Sequence, residues 1–256
     1  MHLVYMGQAG LTETSTVGSS GGHELVAGLL LHETQITSLN GEFDALCRRH
    51  FGSPLGEDNS PEMVQPEALF DGLDHYSSWE PDKRSQLIQD CLDILIRREA
   101  PVLSAFLDKR ILDEARASAT SPAALLWSDP IGPVMSRFLF ALSMYLDEMN
   151  MATLNHDQIM SGAFPVTQYA MIIAQDGTNI EQRMMAEFFR SEEGEDATGL
   201  HENVHYVDAR YSPAMQLANL CAFFTHRWCR NPDNPNPYFE ALRDNKVIQV
   251  LYPVAL

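Results

Sequence analysis

Two histidines and the glutamate between them have the spacing of a known catalytic motif. His201, Glu202 and His205 match the H-E-x-x-H pattern, in which one helix face presents two imidazoles to zinc and the glutamate acts as general base. The pattern requires a helix. Residues 197–208 instead predict a loop followed by a strand, although some apolar residues keep helical spacing. We predict that His201 and His205 do not bind zinc, and a zinc peptidase stays an alternative.

A second group with zinc-type ligands is Cys221, His226 and Cys229. Thiolates and imidazole suit zinc, but this spacing matches no usual zinc motif and a fourth ligand is missing. All four cysteines fall at apolar positions of predicted helices, where a free thiol behaves as a small hydrophobic side chain. We therefore expect reduced core thiols at Cys47, Cys91, Cys221 and Cys229.

Two other common catalytic motifs find no support in the sequence. There is no G-x-x-x-x-G-K-S/T phosphate loop, since the segment from Gly18 to Gly22 contains no lysine. The same five residues have the letters of G-x-S-x-G, but they lie in a loop between two predicted strands and lack the strand-to-helix turn of a serine hydrolase's nucleophile elbow. Nucleotide-binding by a phosphate loop and hydrolase chemistry of that type are not supported.

The elements that would position these residues alternate between strands and helices. Apolar runs predict strands over 3–6, 25–31, 102–107, 169–174 and 204–209, the first two joined as a hairpin. Helical spacing predicts helices over 34–49, 82–98, about 134–146, about 180–188 and 213–228, the last opened by Ser212 as cap and Pro213. The pattern predicts an α/β fold with a mixed sheet flanked by helices. No repeat or long linker divides residues 1–256, so we expect a single domain.

The order of elements and several local patterns resemble the bacterial domain-of-unknown-function 3800 family, whose members look like ribonuclease H-fold proteins. The family opens with a strand ending Tyr-x-Asp-Glu-Ser-Gly, matched here by residues 5–10, with Gly7 and Gln8 in place of the two acids. Near its C-terminus the family has Val-Asp-Ser and then Gln-Leu-Ala-Asp-Leu. The chain matches these with residues 207–209 and 216–220, where Asn219 replaces the final acid.

Two further family patterns lie between these ends. An Ile-x-Ala-Asp-Glu-like strand end is matched by residues 172–176, with Gln175 at the position of the first acid. A Glu-x-His element after the first helix is matched by Glu62-Met63-Val64, without the histidine. The resemblance implies a ribonuclease H-like mixed sheet with a vestigial metal site at Gly7, Gln8, Gln175 and Asn219.

Two-metal nucleases hold paired Mg²⁺ ions with convergent carboxylates, because hard cations require charged oxygen ligands. Glycine, glutamine and asparagine offer at best neutral amide oxygens. Glu62, Asp176 and Asp208 remain as acids around the same site, with Glu13 in the adjoining loop. A rearranged Mg²⁺ or Mn²⁺ site built from them stays an alternative, while the main expectation is no catalytic residue and no metal cofactor.

Charge limits the partners. The formal net charge of -18 opposes a large nucleic-acid surface, because such binding requires lysine and arginine to neutralise phosphates. Eight basic residues nevertheless form four sequence pairs: Arg48-Arg49, Lys83-Arg84, Arg97-Arg98 and Lys109-Arg110. A local basic groove in the first half of the chain therefore stays an alternative. Nucleic acid is therefore expected only within a complex.

The expected setting is a cytoplasmic binding protein. No apolar stretch approaches the roughly 20 residues needed to cross a bilayer, and the first residues do not resemble a secretory signal. A degenerate site on a complete α/β pattern predicts an inactive, nuclease-like subunit that binds a protein partner or forms a homo-oligomer. Exposed methionine and aromatic side chains would be the expected partner surface.

Overall fold

The computed structural model describes most of the chain. The described residues are 1–10, 22–57, 60–108, 110, 131–154, 160, 168–175, 186, 189–190, 199–201, 203–234 and 236–253. The predicted helix over about 180–188 and the residues Glu13, Lys109, Asp176 and Glu202 lie outside them.

Six strands and six α-helices are found among the described residues. The strands are β1 (His2–Ala9), β2 (His23–His32), β3 (Val102–Asp108), β4 (Ala170–Gln175), β5 (His205–Val207) and β6 (Ile248–Pro253). The helices are α1 (Ile36–Phe51), α2 (Pro66–Asp71), α3 (Pro81–Arg97), α4 (Ile131–Ala152), α5 (Pro213–Arg230) and α6 (Pro237–Asp244). No described helix is long and apolar enough to span a membrane.

The strands form one mixed sheet in the order β5-β4-β1-β2-β3-β6. β2 is antiparallel to both of its neighbours, whereas the β1–β4, β4–β5 and β3–β6 pairs are parallel. The first five strands thus have the order 3-2-1-4-5 with only β2 reversed, and β6 extends the β3 edge. The mixed sheet that the sequence pattern predicts is thus confirmed, and it is consistent with the ribonuclease H-like fold that the resemblance implies.

Helices cover both faces of the sheet. α1, α3 and α5 pack on one face with the short helices α2 and α6, and α4 packs on the other. β1 alternates between the two: Tyr5 joins the α5 side and Val4 and Met6 join the α4 side. β2 is buried on both faces along almost its full length, which explains its continuous apolar sequence.

Helix starts follow local sequence signals. Proline occupies the first turn of α2, α3, α5 and α6, where its fixed φ suits the helix and its missing N–H costs nothing. The Ser212 side chain accepts a hydrogen bond from the Met215 N–H at 3.3 Å, which confirms the predicted start of α5. Asn236 caps α6 in the same way through the Phe239 N–H at 3.2 Å.

Candidate functional site

Three of the positions that match the family's acids come together on the α5 side of the sheet. β1 and β4 are parallel with Met6 opposite Ala174, so the next residues of the two strands, Gly7 and Gln175, lie side by side on the same face. Asn219 projects from α5, and its Nδ2 donates a hydrogen bond to Gln175 Oε1 at 3.4 Å. The structure thus brings three of the four proposed positions together, as a neutral amide pair beside a glycine.

Gly7 lies directly against the backbone of α5. A Cβ atom added there would be 2.6 Å from the Ala218 carbonyl oxygen and 2.9 Å from the Asn219 nitrogen. Real Cβ atoms do not come this close, so any side chain at this position requires the helix or the strand to move. The helix backbone therefore occupies the space in which an acid at position 7 would begin.

Gln8 does not join this cluster. Side chains alternate along a strand, so Gln8 shares the face of Val4 and Met6, which pack against α4. It pairs across the sheet with Val26 of β2. The four positions proposed as a vestigial site are thus divided between two faces of the sheet.

Two of the three residual acids bind one arginine. Asp208 follows β5 and accepts hydrogen bonds from the Arg210 guanidinium at 2.6 Å and 2.9 Å. Arg210 Nη1 also donates to Glu62 Oε2 at 3.2 Å. These bonds, with one from the Arg210 N–H, lower the pKa of Asp208, and both acids raise the pKa of Arg210. A guanidinium therefore lies where these carboxylates could otherwise hold a cation.

Gln216 holds the surrounding segments in place. Its buried Oε1 accepts the Val64 N–H at 2.9 Å, while Nε2 donates to the Ala209 carbonyl at 3.0 Å. The residue thereby ties the Glu62 segment to the turn that carries Arg210. Gln216 is the first residue of the matched Gln-Leu-Ala-Asp-Leu pattern, so in this chain that glutamine has a structural use independent of metal binding.

The H-E-x-x-H segment is extended where it is described. Leu200 forms a parallel bridge with Ala170, the His201 N–H donates to the Ala170 carbonyl, and His205 is the first residue of β5. The strand interpretation is confirmed, although β5 is shorter than predicted. Successive strand side chains point to opposite faces, and so the helical face required by the motif does not form here.

The cysteine and histidine group of α5 is part of the core. All four cysteines are free and buried, and burial raises the pKa of Cys47, Cys221 and Cys229 to about 12. The His226 Nε2–H donates to the His23 carbonyl oxygen at 3.0 Å. Within the described ranges, no three His, Cys, Asp or Glu side chains are grouped so that they could hold a metal ion.

The paired basic residues do not form a free groove where they are described. Five arginines bind acids of the same chain: Arg48 with Asp44, Arg49 with Asp90, Arg97 and Arg98 with Glu42, and Arg110 with Asp108. Lys83 lies over the Trp79 ring at 3.6 Å, and Arg84 donates to the Phe70 carbonyl. Intramolecular contacts thus use the charges that phosphates would need.

No protein-family model matches the chain, and no curated protein matches it. The likeness to the domain-of-unknown-function 3800 family therefore remains a resemblance carried by the motifs and by the order of the elements.

Proposed function

We propose that the chain is a catalytically inactive ribonuclease H-like protein that acts by binding, as a subunit of a larger assembly. The observation that carries the proposal is the contact between Gly7 and α5. The family that the chain resembles carries an acid at this strand position, whereas here the helix backbone fills the volume in which such a side chain would begin. The amide pair of Gln175 and Asn219 supports the same conclusion, because it needs no cation between its members.

A divalent-metal nuclease with a rearranged site is the second candidate. It is favoured by the convergence of Glu62 and Asp208 on a single cationic group, Arg210. Binding of Mg²⁺ or Mn²⁺ there would require the metal to displace a guanidinium that already holds both carboxylates. We expect that exchange to be unfavourable, since the bidentate Arg210–Asp208 bonds would be lost.

Cleavage of labelled single- and double-stranded DNA and RNA with Mg²⁺ or Mn²⁺ separates the two candidates. We expect no metal-dependent cleavage by the chain. Asp208→Asn tests the residual site, and Asp44→Asn is its matched control, since Asp44 also binds an arginine at the surface. Cleavage that Asp208→Asn and Asp176→Ala abolish and Asp44→Asn leaves intact would establish the rearranged nuclease instead.

The assembly that we propose is a dimer of this chain through α4. Phe140, Met144 and Met151 form a stripe of exposed apolar side chains along α4, with exposed fractions of 43%, 43% and 52%. Arg137 precedes this stripe, and Glu148 lies between Met144 and Met151. Two antiparallel α4 helices that cross between Phe140 and Met144 would bring Arg137 of each copy toward Glu148 of the other, so the face is self-complementary in charge.

Light scattering on the purified chain tests the dimer. We expect a mass near twice 28.7 kDa at micromolar concentration, and a monomer for Met144→Glu. Leu73→Glu is the matched control, because Leu73 is also an exposed apolar residue, at 51%, but lies away from α4. A monomeric wild-type chain, or equal loss of mass in both variants, would refute the α4 interface.

A further inference from the structure

A half-open cleft of about 410 Å³ lies on the α5 side of the sheet, next to the site described above. Its floor consists of apolar side chains from β4, β5 and the starts of α1 and α5, among them Ile173, Val207 and Pro213. Tyr5 lines its inner wall, and Asn40 and Tyr211 stand at its mouth. This volume falls within the range of about 300–1,000 Å³ found for small-molecule sites.

Tyr5 supplies a polar group that the protein itself leaves unused. Its side chain is 7% exposed, and burial alone, without a charged or hydrogen-bonding neighbour, raises the pKa of its hydroxyl. The hydroxyl makes no hydrogen bond with the described residues. The Tyr5 oxygen is not one of the buried side-chain atoms that lack a partner, so it keeps contact with the solvent in the cleft. Water or a ligand in the cleft can therefore accept its hydrogen bond.

The charged groups next to the cleft are paired with one another. Asp208 lines the cleft, but this carboxylate is held by Arg210, whose Nη1 also binds Glu62. The other polar groups are neutral hydroxyls and the Asn40 amide. A ligand with a net charge would meet no free counter-charge among the described residues, and the formal net charge of -18 disfavours a phosphate in particular. The occupant that fits is therefore uncharged.

The polar groups at the mouth favour a flat ring with adjacent donors and acceptors. The Asn40 side chain is exposed and bonds to none of the described residues, so its amide can donate and accept in one plane, as asparagine does toward a nucleobase edge. The Tyr211 ring is 82% exposed, and the Arg210 guanidinium lies over one face at 5.7 Å from its centroid. The other face offers a flat surface on which a base can stack. The apolar floor completes a site for a ring that is hydrophobic on its faces and polar at its edge.

We propose that this cleft binds an uncharged heterocycle of nucleobase or nucleoside size, with Tyr5 as donor to a ring acceptor, Asn40 on the polar edge and Tyr211 stacked on the ring. None of its lining residues belongs to α4 or to the contact at Gly7. Asp208 lines the cleft and is also one of the acids of the rearranged nuclease site, so the variants that test the cleft, Tyr5→Phe and Tyr211→Ala, leave Asp208 unchanged. Nucleoside binding measured without a divalent metal is thus tested separately from the dimer and from cleavage.

Saturation-transfer NMR with adenosine, guanosine, cytidine and uridine at about 1 mM tests binding to the full chain. We expect at least one nucleoside to bind. Tyr5→Phe removes only the hydroxyl and should weaken binding by roughly 3- to 10-fold, the size of one net hydrogen bond. Tyr211→Ala should weaken it roughly tenfold or more through lost stacking. Tyr169→Phe is the matched control, since Tyr169 is exposed and does not line the cleft.

Three results would overturn the proposal. The first is absence of binding by all four nucleosides to wild-type protein whose circular dichroism and thermal unfolding show an intact fold. The second is tighter binding of adenosine monophosphate than of adenosine, which would indicate a cationic site. The third is binding that Tyr5→Phe and Tyr211→Ala leave unchanged, since the nucleoside would then occupy another place.

Discussion

Adding a single methyl group at Gly7 tests whether α5 fills the position at which the resembled family carries an acid. Gly7 lies in the middle of β1 with φ outside the left-handed region, so its backbone would accept any residue. In such a strand alanine normally stabilises relative to glycine by about 0.5–1 kcal/mol. The contact with Ala218 should reverse that sign. We expect Gly7→Ala to lose about 1–3 kcal/mol of unfolding free energy, because helix and strand must separate.

Gly41→Ala is the matched control. Gly41 lies on the exposed face of α1, and a Cβ added there would meet no atom within 4 Å. The same chemical change should therefore stabilise the chain by about 0.5–1 kcal/mol through reduced backbone entropy in the unfolded state. For a chain of this size, about 1 kcal/mol corresponds to about 2–4 °C in Tm. The two variants should thus shift Tm in opposite directions.

Urea unfolding followed by circular dichroism, with thermal unfolding beside it, measures both variants. If Gly7→Ala proves as stable as Gly41→Ala, α5 does not block position 7, and the steric argument against a metal ligand there fails. Gly7→Asp adds a charge to the same contact. We expect it to be less stable than Gly7→Ala and to gain no Mn²⁺ binding in water-proton relaxation measurements.

Three further predictions follow from buried or paired groups. Gln216→Ala should lower the unfolding free energy, measured in urea, by about 1–3 kcal/mol, because it leaves the buried Val64 N–H and Ala209 carbonyl without their hydrogen-bond partner. The exposed Gln86→Ala variant should change this free energy little. The four buried thiols should react with Ellman's reagent at pH 8 only after unfolding, because their pKa values are raised. In NMR titrations Asp208 should show a pKa below its usual value, and Arg210→Gln should bring that pKa back toward the usual value. The stability that the Asp208–Arg210 pair gives the fold should be lost as the pH falls through the lowered pKa.

The central elements of the fold could be predicted because their signals are local. β2 is a continuous apolar run between polar residues, and Ser212 with Pro213 marks the start of α5. The C-terminal elements α6 and β6 were not predicted. α6 has only eight residues, and β6 belongs to the sheet through its parallel pairing with β3, a contact between residues about 150 positions apart that no local pattern records.

The site could be predicted only in part. Motif positions brought Gly7, Gln175 and Asn219 into one group, which the structure supports, but they could not separate Gln8, whose face follows from the register of β1. Arg210 was missed. Its spacing from Asp208 is a local signal that could have suggested the pair, since an aspartate can cap the turn two residues later. Its bond to Glu62, 148 residues away, depends on tertiary structure.

The neutral residues Gly7, Gln175 and Asn219 form a consistent set, which explains why introducing one acid would not create a metal site. Gln175 and Asn219 bond directly at 3.4 Å, a separation at which two carboxylates would repel without a cation between them. A single Gln175→Glu or Asn219→Asp change would instead keep an acceptor beside an amide donor, so the pair could persist without metal. A metal would still lack the ligand excluded at Gly7 by the α5 backbone. Mg²⁺ binding would therefore require at least two acids to be introduced together with a shift of α5 away from β1, which is a change of packing as well as of charge.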